Sequence, residues 1–126
     1  MSVQLIAPEL ERLEGLWEDG LSVVYGSYME ALAGYDIAAQ PRLALAAALV
    51  EVGIRLQGLG GRAAAPATLL IGDLCLARSA RLLADTASAA VQVAFARAIE
   101  EMSFAAASSR PAPHIRQLLL RAFEAS

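Results

Sequence analysis

The chain has 126 residues, a net charge of −3 and a hydrophobic fraction of 57%, and these values predict one domain over residues 1–126 with surplus apolar surface for a partner chain. No uncharged stretch is much longer than about ten residues, too short for a membrane span. The ten basic residues, all arginine, are interspersed with acids, so no nucleic-acid site is predicted. A single cysteine and a start without a secretory leader favour a cytoplasmic protein.

Apolar residues recur every three or four positions along the whole chain, which is the spacing of helices rather than strands. The predicted helices run from Pro8 to about Gly34, as one long helix whose apolar stripe continues across Gly20, from Pro41 to about Leu59, from Pro66 to about Asp85, from Ser88 to Ser108, and over residues 113–126. Short connections favour antiparallel neighbours. The predicted fold class is therefore all-α, an antiparallel bundle of about five helices.

Two of these helices carry informative exceptions to the pattern. The second is apolar nearly all round and belongs at the centre of a bundle. Only Glu51 and Arg55 interrupt it, one turn apart, and we expect them to pair along the surface. On the fourth helix Val93 and Phe104 lie opposite the main apolar stripe, which indicates a second contact.

The residue types used in catalysis and metal binding are scarce. Glu11, Glu14 and Glu18 share one face and would suit Mg²⁺ or Ca²⁺, but helical di-metal sites need further ligands such as a Glu-x-x-His motif, which this sequence lacks. We expect a solvated acidic face there. The only histidine, His114, has no motif linking it to Cys75, so we predict no catalytic residue and no metal ligand.

One acid stands inside the apolar pattern of the third helix. Asp73 falls near Leu69 and Ala80, on the face expected to be buried, and a buried carboxylate needs a partner. The candidates are Arg42 or Arg55, backbone donors at a helix end, or a group on another subunit. This placement favours a structural role for Asp73.

The same helix carries a family resemblance. "TLLIGDLCLARSARLLA", residues 68–84, resembles the Gly-Asp helix of trans-polyprenyl diphosphate synthases. "PRLALAAALVEVGIRL" and "FARAIEEM" resemble the helices before and after it in that family. The resemblance covers about residues 25–105 and implies a truncated isoprenoid-synthase-like fold.

The departures from the family pattern concern its catalytic motifs. The DDxxD motif that binds diphosphate through Mg²⁺ is missing, and no acid occurs between Glu51 and Gly72. The Gly-Lys-x-x-Arg-Pro element is also missing, since Arg42 has no accompanying lysine. Without acids to hold Mg²⁺, ionisation of a diphosphate lacks its electrostatic support.

The resemblance therefore implies the non-catalytic small subunit of heterodimeric hexaprenyl and heptaprenyl diphosphate synthases. In this interpretation the chain binds no cofactor, Mg²⁺ belongs to a catalytic partner, and the chain influences prenyl length. Gly72 and Asp73 are expected to be structural, at or near the subunit interface. Leu69, Leu76 and Leu83 are the candidates for contacting a prenyl tail.

Two alternatives remain open. The chain alone would be a homodimer or larger homo-oligomer that uses its apolar faces on itself or on an apolar ligand. A metal-dependent enzyme built on Glu11, Glu14 and Glu18 is the third interpretation.

Overall fold

The computed structural model describes residues 15–34, 39–58 and 66–125, and this part of the chain is helical without strands. Its five α-helices are α1 (Ser22–Ala31), α2 (Gln40–Leu56), α3 (Pro66–Thr86), α4 (Ala89–Ala107) and α5 (Ile115–Ala122). The all-α prediction and its helix order are confirmed. The expected helix start at Pro8 lies outside the described residues. Within them, no helix is both long and apolar enough to cross a bilayer.

The first predicted helix has a bend at Gly20. A π-helical turn, Trp17–Leu21, leads directly into α1, and Gly20 inside it has a φ of 152°. A side chain would strain the backbone in that conformation, so glycine suits the position. The rings of Trp17 and Tyr25 lie 5.4 Å apart across the bend.

Local sequence signals set the starts of the later helices. Proline occupies the first turn of α2 and the first residue of α3, where its missing N–H costs nothing. At the start of α4 the Ser88 hydroxyl accepts a hydrogen bond from the Val91 backbone N–H at 3.2 Å. These signals explain why the predicted starts of α2, α3 and α4 agree with the structure to within one residue.

Helix α2 is the centre of the fold, as its continuous apolar pattern predicts. Nearly every residue from Ala44 to Ile54 is buried. Many of them are alanine, so neighbouring helices approach α2 closely from several sides.

The closest of these approaches is between α2 and α3. The Ser79 hydroxyl donates to the Ala46 carbonyl at 2.7 Å, and a Cβ placed on Gly53 would lie 3.1 Å from the Gly72 carbonyl oxygen. Residue numbers rise along one helix as they fall along the other, so this pair is antiparallel. Small residues at the contact let the two backbones meet.

This contact corrects the predicted orientation of α3. The buried stripe of the helix consists of Gly72, Cys75, Ser79 and Leu83, whereas Leu69 is 37% exposed. The sequence analysis expected the face of Leu69, Asp73 and Ala80 to be buried, and the structure leaves Asp73 and Ala80 exposed. The close fit to α2 instead requires Gly72 and Ser79 to face inward.

Helices α4 and α5 complete the core. The rings of Phe95 and Phe123 meet edge to face, 5.1 Å apart, and Met102 and Leu119 are buried nearby in the same core. Aromatic contacts of this geometry add stability beyond the area that they bury.

Two glycine-to-alanine changes should have opposite effects on stability, because only one of the two glycines lies in the α2–α3 contact. Gly53→Ala places a Cβ at 3.1 Å from both the Cys75 Cβ and the Gly72 carbonyl oxygen, and we expect it to lower the free energy of unfolding by about 1–3 kcal/mol. Gly26→Ala, on an open face of α1, should raise it by about 0.5–1 kcal/mol. Urea unfolding of the two variants checks this, and equal effects would contradict the close contact.

Candidate functional site

The main cluster of charged side chains surrounds a buried carboxylate on α2. Glu51 is 1% exposed. Its Oε1 accepts from the Tyr28 hydroxyl at 2.9 Å and from Arg116 Nε at 3.0 Å. Its Oε2 accepts from Arg55 Nη2 at 2.7 Å and from Arg116 Nη2 at 2.8 Å. We call these four residues the Glu51 cluster.

The cluster compensates the cost of burying a charge. An isolated ionised carboxylate in a protein interior costs several kcal/mol, whereas here both oxygens accept two hydrogen bonds each and two guanidinium groups lie beside them. The hydrogen bonds from Arg116 to Glu51 raise the pKa of Arg116. A two-point arginine contact of this kind is among the stronger protein ion pairs.

Tyr28 completes the cluster as a neutral donor. Burial and the neighbouring Glu51 raise the pKa of Tyr28 above its ordinary value. The Arg116 guanidinium carbon lies 5.4 Å from the centre of the Tyr28 ring, in a cation–π contact. Since Tyr28, Glu51 and Arg116 stand on α1, α2 and α5, the cluster ties three helices together.

The occupied carboxylate points to a structural rather than a catalytic role for Glu51. A general base needs a lone pair within reach of a substrate proton, and the acceptor positions of Glu51 are taken. Towards solvent, the cluster borders a shallow groove of about 400 Å³ that His114 and Gln117 also line. Arg55 and Arg116 remain 61% and 41% exposed there.

The structure corrects the predicted position of Asp73. Its side chain is exposed, and its Oδ1 accepts a hydrogen bond from Gln57 Nε2 rather than from Arg42 or Arg55. Arg55 is bound to Glu51 instead. With Gly72 turned towards α2, the following residue lies at the edge of the helix contact. An interface role for Asp73 stays a prediction.

Gly72 itself stands at the closest point of the α2–α3 contact. A Cβ added there would lie 2.7 Å from Gln57 Cγ and 3.0 Å from the Gly53 carbonyl oxygen. This geometry gives Gly72 a packing role inside the chain.

Two of the three predicted prenyl-contact leucines line one cleft. Leu76 and Leu83 border a space of about 170 Å³ between α3 and α4, with Val50, Phe95 and Ile99 among the other lining residues. Leu69 is not among them. The cleft is mostly apolar, and Ser79 and Gln92 are its polar lining residues.

The remaining candidates do not form a reactive centre. Glu18 is exposed, and Glu11 and Glu14 lie outside the described residues. Within residues 15–34, 39–58 and 66–125, no three metal-ligating side chains come together. Cys75 is buried, and desolvation raises its pKa to about 11, which disfavours the nucleophilic thiolate.

Sequence reasoning found only part of the Glu51 cluster. The pairing of Glu51 with Arg55 is confirmed, and Arg55 lies at the surface as expected, but Glu51 is buried. An acid on a helix that is apolar all round was the available signal. Nothing local indicated Arg116, which is 65 residues away along the chain.

Comparison of the chain with known protein families, with curated proteins and with solved structures found no match. The resemblance to trans-polyprenyl diphosphate synthases therefore rests on the sequence segments quoted above.

The Glu51 cluster predicts a large stability difference between two arginine substitutions. Arg116→Gln removes two donors from the buried carboxylate and should lower the free energy of unfolding by about 2 kcal/mol or more. Arg81→Gln, at an exposed position of α3, should change it by less than about 0.5 kcal/mol. Chemical denaturation measures both, and similar values for the two variants would contradict the assignment.

The buried thiol predicts a loss of stability at alkaline pH. An unfolded-state thiol ionises near its ordinary pKa of 9, whereas Cys75 in the folded chain keeps its proton until about pH 11. The folded state therefore binds more protons in this window, and stability falls as pH rises, by up to about 1.4 kcal/mol per pH unit.

The measurement is urea unfolding at pH 8 and pH 10 for the native chain and for Cys75→Ala. The variant should lose less stability between the two pH values, because every other titrating group is shared. An identical loss would show that the thiol is not protected by burial.

Proposed function

We propose that the chain is a non-catalytic subunit of a trans-polyprenyl diphosphate synthase, packing on a catalytic partner and influencing prenyl chain length. The observation that carries the proposal is the apolar cleft between α3 and α4, which Leu76 and Leu83 line. Helix α3, which forms one side of the cleft, also contains residues 68–84, the segment that resembles the synthase family.

The size and chemistry of the cleft suit part of a hydrocarbon chain. Its volume is about 170 Å³ and most of its lining is aliphatic or aromatic. Apolar pockets bind hydrocarbon by removing apolar surface from water, with about 25 cal/mol gained per Å². A side chain that lines such a cleft influences the length of the prenyl product, because it fills or frees space at the end of the cleft.

The beginning of α3 offers a surface for the partner. Leu69 and Leu70 are 37% and 61% exposed, next to each other near the helix start. Exposed large aliphatic residues in a cluster are typical of protein contacts. In this proposal they pack on the catalytic chain, which holds Mg²⁺ and the diphosphate, while this chain supplies apolar wall.

Reconstitution tests the proposal. The chain is co-expressed with a trans-polyprenyl diphosphate synthase from the same source that carries both aspartate-rich motifs. We expect one complex on size-exclusion chromatography and a product length that differs from that of the catalytic chain alone. In the complex, Leu76→Ala should lengthen the products because it enlarges the cleft.

Leu43→Ala is the matched control, since Leu43 is also partly buried and is not among the residues that line the cleft. It should leave product length unchanged. If no complex forms, or if Leu76→Ala leaves the products unchanged within an intact complex, the proposal fails.

A further inference from the structure

The outward face of α4 presents large apolar side chains to solvent. Val93 is 50% exposed and Phe104 is 59% exposed, while Phe95 and Met102 on the opposite face are buried in the core. The two exposed residues stand eleven positions apart, so together they mark a face of the helix rather than one spot.

Four more residues connect them into a continuous stripe. The α4 stripe consists of Ala90, Val93, Arg97, Glu100, Phe104 and Ala107. The steps along it alternate between three and four residues, which is the spacing of the contact seam in helix pairs. All of its members are exposed except Ala90, which is half-buried.

The order of residue types in the α4 stripe is symmetric about its midpoint. If a second α4 lies antiparallel with the midpoints aligned, Val93 faces Phe104 of the second copy, and Arg97 faces Glu100 of the second copy. Each contact occurs twice, because a two-fold axis exchanges the copies. The resulting interface has two ion pairs at its centre and one apolar contact on each side of them.

The charges needed for these pairs are available. Among the described residues the ion pairs centre on Glu51, and none involves Arg97 or Glu100. The Arg110 guanidinium carbon lies 5.3 Å from the centre of the Phe104 ring, and Phe104 is still 59% exposed.

We infer that α4 docks antiparallel on α4 of a second copy of this chain through the α4 stripe. The stripe spans about 25 Å at 1.5 Å per residue. A contact along one helix buries less than the roughly 800 Å² per partner of a standard interface, so the dimer forms reversibly with concentration. The inference does not depend on the proposed function, which concerns the α3 start and the cleft.

Charge reversal tests the register directly. Sedimentation equilibrium from micromolar to millimolar concentration should show a monomer–dimer equilibrium for the native chain. Arg97→Glu and Glu100→Arg should each weaken it by at least about fivefold, because like charges then face each other. An equimolar mixture of the two variants should recover the native dissociation constant, since in the mixed dimer every pair again has opposite charges.

Arg81→Glu is the control, because it makes the same charge change at an exposed position of α3, and it should leave the dimer unchanged. Phe104→Glu should weaken the dimer while the helical circular dichroism stays native. A chain that is monomeric throughout, or a dimer that Arg97→Glu and Arg81→Glu weaken equally, overturns the inference. So does a mixture no tighter than its two components.

Discussion

A carboxylate that is closed off from water must find its donors inside the protein, and Glu51 finds them on three different elements. Tyr28 comes from α1, Arg55 from its own helix and Arg116 from α5. Tyr28 and Arg116 restrict the positions of α1 and α5 relative to α2, because charge-assisted hydrogen bonds tolerate little change in distance or angle. Apolar packing alone allows helices to slide and rotate at small cost. A buried ionic contact can thus select one arrangement among several with similar apolar burial.

The opposite side of α2 is fixed by shape rather than by charge. Gly53 and Gly72 bring the backbones of α2 and α3 together, and Ser79 adds a hydrogen bond to the Ala46 carbonyl. With the small residues at this contact, Leu69 and Leu70 lie exposed and Leu76 borders the cleft next to α4. The apolar cleft beside Leu76 and the exposed start of α3 are therefore consequences of the same close contact, and the proposed partner surface follows from the packing of the core.

The all-α class and the starts of α2, α3 and α4 could be predicted because they depend on local signals: apolar spacing, Pro41 and Pro66 at helix starts, and the Ser88 cap. The orientation of α3 could not, since size-based periodicity favours leucine as the inward residue, whereas backbone contact with α2 selects glycine and serine. The error at Asp73 has the same origin. Of the Glu51 cluster, the sequence predicted the pair of Glu51 with Arg55, because both interrupt a helix that is otherwise apolar. Its main partner, Arg116, is defined only by tertiary structure.

The most direct test of the central role of Glu51 is a double-mutant cycle with Glu51→Gln and Arg116→Gln, followed by urea unfolding. If the buried charge requires Arg116, losing the arginine costs much less once the charge is gone. The two substitutions together should then cost less than the sum of their separate effects by at least about 1 kcal/mol. Additive effects, equal within about 0.5 kcal/mol, would show that Glu51 and Arg116 act independently and would contradict the account.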